Sequence, residues 1–133
     1  MKMISTRGRY ALRVMADLAS FSKGECIPMK EVAARQNISL KYLEQILPVL
    51  TKNGLVEAVH GKGGGYRLTR KPSEYKIGEI LRLTEDGIAA VACLAEGAPQ
   101  CEFMDKCHSI GFWKGLDKLI NDYMDEHTLA DLL

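Results

Sequence analysis

The sequence predicts a mainly helical chain with one small β-hairpin, ordered as a winged helix-turn-helix and followed by a long C-terminal dimerisation helix. Three observations carry this. Apolar residues recur at three- and four-residue steps in three early segments, a glycine-rich turn between two β-prone runs follows the third, and a last stretch has an apolar stripe broader than a small core can cover. With 133 residues and 47% apolar content the chain forms one compact unit, able to bury roughly 70% of its unfolded surface.

The first helix spans about Arg7 to Ser22, with Ser5 or Thr6 as cap, an inward set of Ala11, Leu12, Val14, Met15, Leu18 and Ala19, and Lys23 and Gly24 as its stop. A second, about Met29 to Gln36, buries Val32 and Ala33 and ends on Asn37 in the left-handed region. Ser39 caps the third. Its inward stripe is Leu43, Ile46, Leu47 and Leu50, Gly54 fits its C-terminal end, and Pro48, lacking an amide, is expected to bend its second half. Strands follow at Leu55 to Val59 and Tyr66 to Arg70, joined by the turn His60 to Gly65. A fourth helix covers about Ile77 to Thr84. The last, about His108 to Glu126, aligns Phe112, Trp113, Leu116, Leu119, Ile120, Tyr123 and Met124 on one side. Residues 1–76 thus read as the winged-helix unit, 77–107 as a connecting helix and cysteine-bearing loop, and 108–133 as dimerisation helix and tail. A helix folded onto its own core is the competing reading of the last stretch. Pairing with a second copy would bury Trp113, Leu116, Ile120 and Tyr123 isologously.

A net charge of +1 conceals polarity. Residues 1–76 hold 14 Lys+Arg against 6 Asp+Glu, and residues 77–133 hold 4 against 11. A basic half can displace counterions from a nucleic-acid backbone, although such runs are also ordinary solvated faces. The outward residues of the third helix, Ser39, Lys41, Tyr42, Glu44 and Gln45, suit base edges and phosphates. Glutamine pairs with adenine and glutamate accepts from cytosine. Arg7 joins them at the start of the first helix. In the turn, His60, Lys62, Gly63 and Gly64 offer a cation and a backbone bare enough to approach a phosphate, unless the turn is only a flexible hairpin end. Double-stranded promoter DNA is the expected partner.

Enzyme chemistry is not indicated. The three histidines, His60, His108 and His127, fall in no Ser/His/Asp or metal-hydrolase pattern, and no dinucleotide-binding glycine fingerprint occurs. No run of about 18 apolar residues suggests a membrane span, and Met1 to Tyr10 lacks a signal-type apolar stretch, so a cytoplasmic location is expected. In a reducing compartment the four cysteines point to metal or redox chemistry rather than structural disulfides. Cys93, Cys101 and Cys107 sit close in sequence with His108 adjacent, and thiolates select zinc, copper(I) and iron–sulfur clusters. A three-Cys, one-His zinc site and a metal-free thiol switch are the alternatives; no Cys-x-x-Cys pair is present. Cys26, isolated before Pro28, reads as a small core residue.

The segments STRGRYALR (5–13), KYLEQ (41–45), NGLV (53–56), GGGYRL (63–68) and TLADL (128–132) resemble, in order and over essentially the whole chain, the Rrf-two-type winged-helix regulators, with their IscR-, NsrR-, RirA- and CymR-like branches. The resemblance implies a homodimeric bacterial transcription regulator. In its cysteine-bearing branch an iron–sulfur cluster, 2Fe-2S or 4Fe-4S, lies in the loop before the dimer helix, and Cys93, Cys101 and Cys107 fall at those positions. Two departures affect the fourth ligand. The histidine of IscR-like members is replaced by Ile110, and the aspartate that NsrR-like members use near the start of the partner's first helix is replaced by Arg9. His108, Asp105, Glu102 or an exogenous ligand are left to complete the shell. Cluster-delivery proteins are possible further partners, and a winged helix that grips protein instead of DNA is the non-DNA alternative.

Overall fold

The computed structural model describes residues 3–22, 24–85 and 87–133. Its elements follow the expected order, with helix α1 at Thr6–Phe21, α2 at Met29–Gln36, α3 at Leu40–Lys52, strands β1 at Val56–Val59 and β2 at Gly65–Leu68, then α4 at Ile77–Thr84 and α5 at Ile110–Glu126. This is a winged helix-turn-helix with a long terminal helix.

Ser5 is the α1 cap, its hydroxyl accepting from Gly8 N at 3.2 Å. The inward face of α1 places Ala11, Val14, Met15 and Leu18 out of contact with solvent. Asp17 lies among them, and its carboxylate is compensated by two hydrogen bonds from Arg35, at 2.9 and 2.8 Å, and one from Gln36 at 3.0 Å. A buried charge needs such pairing, so this triad fastens α1 to α2. The helix closes at Ser22, with Gly24 at φ 87° just beyond; Lys23, expected to share in the stop, lies outside the described residues.

Asn37 adopts the left-handed conformation, φ 53° and ψ 47°, and turns the chain into α3. There Ser39 accepts from Tyr42 N at 3.1 Å, and Leu43, Ile46, Leu47 and Leu50 face the core. The helix runs unbroken through Pro48, which is exposed.

The strands pair antiparallel with Val56 opposite Leu68 and Val59 opposite Gly65. They are shorter than the sequence suggests because one buried side chain captures their ends. Tyr75, with no exposed surface, donates its hydroxyl to Leu55 O at 2.8 Å and accepts from Thr69 N and Arg70 N at 2.9 and 3.0 Å. Those groups therefore leave the ladder. Ile27 adds a further backbone bridge to Tyr66, N–H to O at 2.8 Å and the reverse at 2.9 Å, making β2 the middle of the wing. Cys26 beside it is half-exposed rather than a core residue, because that edge bridge holds its backbone at the surface.

Helix α5 begins at Ile110, two residues later than expected, because Ser109 O accepts the first helical bond from Trp113 N at 3.1 Å and so makes Ser109 the cap. Its far end is anchored. Ile77 N donates to His127 O at 3.0 Å, Leu129 N to Tyr75 O at 2.9 Å, and Leu129 is fully buried in the main core. Thr128 and Asp131 close this terminal turn as a capping box. Although grouped in sequence with the dimerisation helix, the turn at 129–132 thus packs with the winged-helix unit. A second small cluster, Ile77, Leu81 and Met124, joins α4 to α5.

Candidate nucleic-acid interface and cysteine-bearing segment

On α3 the inward leucines leave Ser39, Lys41, Glu44 and Gln45 exposed. Tyr42 is half-buried and meets Tyr10 of α1 edge-on at 5.2 Å. Arg13 lies 5.1 Å over the Tyr10 ring and donates to the backbone oxygen of Gln36, so α1 supports both Tyr42 and the α2–α3 turn. Neither Tyr10 nor Arg13 was legible as part of this surface; the polar i, i+3 pair on α1 is the only sequence signal. Arg7 donates from Nε to Thr84 O at 2.9 Å, which holds its guanidinium between α1 and the end of α4. Ser5, Thr6 and Arg7 share a shallow groove with Tyr42 and Gln45.

In the wing turn His60, Gly61, Lys62 and Gly63 are exposed and Gly64 half-buried. Two of the glycines have a reason inside the fold. A Cβ on Gly64 would fall 2.2 Å from Val59 O, and one on Gly65, at φ 148°, would fall 2.3 Å from Ile27 O. The turn is therefore shaped by its own close backbone approaches, and Lys62 stands at its tip.

Glu85 forms a further junction that the sequence did not reveal. Its Oε1 accepts from Ser5 N and from Ser5 Oγ, both at 2.8 Å, and it packs where a side chain on buried Gly8 would sit. The start of α1 is thereby locked to the end of α4, where the chain enters the cysteine-bearing segment.

Within that segment Cys93 lies in a 3-10 turn at Ala92–Leu94, Cys101 opens a turn through Met104 N to its carbonyl at 3.1 Å, and Cys107 ends a second 3-10 turn at Met104–Lys106. All three are half-exposed thiols. The Ser109 hydroxyl, 3.5 Å from Cys107 Sγ, and then the Ser109 backbone hold that thiol below its ordinary range. His108 is exposed beside it. Each cysteine occupies its own local turn, and among the described residues no group of three or more His, Cys, Asp or Glu converges to hold a metal. The donor chemistry suits a soft metal centre, whereas in this conformation the donors stand apart. Ala90 N donates to Asp117 Oδ1 at 2.8 Å, tying the segment to α5.

The apolar stripe of α5 divides. Met124 is buried against α4 with Ile120 beside it, whereas Phe112, Leu119 and Tyr123 are 67%, 66% and 64% exposed. Trp113 and Leu116 are half-buried. Leu119, Ile120 and Tyr123 line an apolar groove with Met3 and Ile4. Among the described residues no helix is long and apolar enough to cross a membrane.

A helix-turn-helix with a wing, a polar reading face and a cation at the wing tip defines a DNA-binding transcription regulator. Comparison with known proteins gives its kin. The family model described as "Rrf2: Iron-dependent Transcriptional regulator" matches residues 4–133, and the chain belongs to this family. It is 36% identical to the HTH-type transcriptional regulator IscR of Serratia proteamaculans over 98% of this chain and 78% of that one. The Escherichia coli IscR is 35% identical, over 98% and 79%. Among solved structures, T. potens IscR superposes with a TM-score of 0.77 at 36% identity, covering 99% of this chain and 85% of that one. CymR, the global cysteine regulator of B. subtilis, superposes at 0.80 with 32% identity over 99% and 96%. Relatives that are transcription regulators support a non-enzymatic role.

Proposed function

We propose that this chain acts as a cytoplasmic homodimer whose binding to promoter DNA is controlled by an iron–sulfur cluster held by Cys93, Cys101 and Cys107, with His108 as the fourth protein ligand. The observation that carries this reading is the placement of the thiols. They share one segment, fastened at its entry to the start of α1 through Glu85 and along its length to α5 through Asp117. When bound, a cluster of two or four irons supplies a thiolate-ligated, redox-responsive centre. The residues of the chain do the rest. Cys93, Cys101 and Cys107 would hold the cluster if their three turns drew together, and Glu85 and Asp117 are the fastenings through which such a rearrangement would reach α1 and, with it, the surface formed by Arg7, Tyr42 and Gln45. A coupling of about 1 to 3 kcal/mol changes affinity roughly 5- to 150-fold.

Dimerisation follows from the open half of α5. Leu119, Tyr123 and Phe112 on one copy, packed against the same helix and the first helix of a second, remove apolar surface from water and set two wings about one DNA turn apart. Trp113, Leu116 and Ile120 border that seam. DNA contacts are assigned to Ser39, Lys41, Tyr42, Glu44 and Gln45 of α3, to Arg7, and to His60, Lys62, Gly63 and Gly64 of the wing. Cluster-delivery proteins are further partners that this reading allows.

The test is anaerobic purification followed by visible absorbance, iron and sulfide analysis, and promoter mobility shifts with and without the cluster. Cys93→Ala, Cys101→Ala and Cys107→Ala should each abolish iron binding, Cys26→Ala should leave it intact, and His108→Ala should shift the absorbance. Colourless protein with stoichiometric zinc and no sulfide would replace the cluster with a structural zinc. Absence of a promoter shift in every state would leave a protein-binding adaptor.

A further inference from the structure

At the root of the wing a cavity of about 430 Å³ opens between the C-terminal end of α1 and the β-hairpin. Its volume falls in the range of about 300–1,000 Å³ typical of small-molecule sites. The floor carries the half-buried Ala19, Leu68 and Pro72. The hydroxyls on its wall are already committed, Thr69 Oγ1 to Gly54 O at 2.7 Å and Ser22 to Glu25 O. Arg70, also on the wall, has its charge met by Glu79 at 2.6 Å. What faces an incoming molecule is the pair Glu57 and Arg67, cross-strand neighbours joined at 2.9 Å whose side chains are 46% and 40% exposed.

We propose that this cavity binds an α-amino acid with an aliphatic side chain, its carboxylate on Arg67, its ammonium on Glu57 and its side chain on the floor. An exposed ion pair contributes only about 0–1 kcal/mol, so opening it for a ligand costs little. The guanidinium receives a carboxylate through two parallel N–H bonds, and Glu57 then takes the ammonium, so each charge exchanges one opposite partner for another. A simple carboxylic acid would leave Glu57 unpaired, and a simple amine would leave Arg67 unpaired. A charged side chain would find no partner on the floor. Selection therefore falls on the zwitterion. Since one wall is the hairpin that carries Lys62 and the other is α1, an occupant sets the angle of the wing and adds a small-molecule input to DNA binding.

Isothermal titration calorimetry of the full chain against the common amino acids tests this without DNA or cluster. At least one aliphatic amino acid should bind in the millimolar range or tighter. Its deaminated acid, its decarboxylated amine and the variants Arg67→Ala and Glu57→Gln should each weaken binding about two- to fivefold, with thermal unfolding of the variants unchanged. No binding by any amino acid, equal binding of the deaminated acid, or binding indifferent to both variants would overturn the proposal. Because no arm of the calorimetry depends on DNA or iron, failure here is distinct from failure of the regulator assignment.

Discussion

Replacing Gly8 by Ala sets helix propensity against a specific contact, and the contact should win. Gly8 sits in the first turn of α1, where an unobstructed Gly→Ala change stabilises a helix by up to about 1 kcal/mol. Here the new Cβ would fall 2.1 Å from Glu85 Oε1. The carboxylate is the far end of a flexible side chain, so it can withdraw, but withdrawal forfeits its bonds to Ser5 N and Ser5 Oγ. Hydrogen bonds to a charged group contribute about 1.5–3 kcal/mol each when well shielded. Half-burial lowers that figure and propensity offsets part of it, so a net loss of about 1–3 kcal/mol is expected. Urea unfolding at fixed protein concentration measures it. In a Glu85→Ala background the obstruction is gone, and the same Gly8→Ala change should then be neutral or stabilising by up to about 1 kcal/mol. Equal effects of Gly8→Ala in both backgrounds would refute the Glu85 lock. DNA affinity should fall with stability in the single variant, since Arg7 and Thr84 share the same junction.

Lys62→Ala should weaken binding to all DNA and flatten its salt dependence by a slope of about one, whereas Glu44→Ala or Gln45→Ala should mainly relax base preference, as read by mobility shifts over a salt series with matched and mismatched operators. Ile120→Glu or Leu119→Asp should yield monomers with poor affinity for paired half-sites; sedimentation showing an intact dimer would move the seam elsewhere. Tyr75→Phe should cost about 2–4 kcal/mol in chemical unfolding, because Leu55 O, Thr69 N and Arg70 N lose a common partner.

Elements set by local patterns are legible in the sequence itself. The inward stripe Leu43, Ile46, Leu47 and Leu50, the Ser5 and Ser39 caps and the left-handed Asn37 all follow from spacing and short-range sterics, and all stand where expected. What escaped depends on contacts remote in sequence. Ser5 and Glu85 are 80 positions apart, and Asp17 and Arg35 are 18 apart, so no periodicity relates them. The wing strands differ for the same reason, β1 starting at Val56 and β2 stopping at Leu68, since the hydroxyl that captures Leu55, Thr69 and Arg70 belongs to Tyr75. At the candidate metal site the residue types were readable from sequence. Their separate turns were not, for although the bonds that close them are local, such as Met104 N to Cys101 O, the residue types of this stretch carry no capping or periodic pattern that would place them.

The burial of Leu129 also orders events in time. Every other member of the main core lies at or before Ile80, so synthesis delivers the final hydrophobic piece only after the cysteine-bearing segment and α5 have been made. A nascent or prematurely terminated chain that ends after α4 exposes the gap that Leu129 fills, beside Tyr75, to chaperones and proteases. The winged-helix unit and the terminal turn therefore complete one core together, and a chain cut before Leu129 lacks a piece of it.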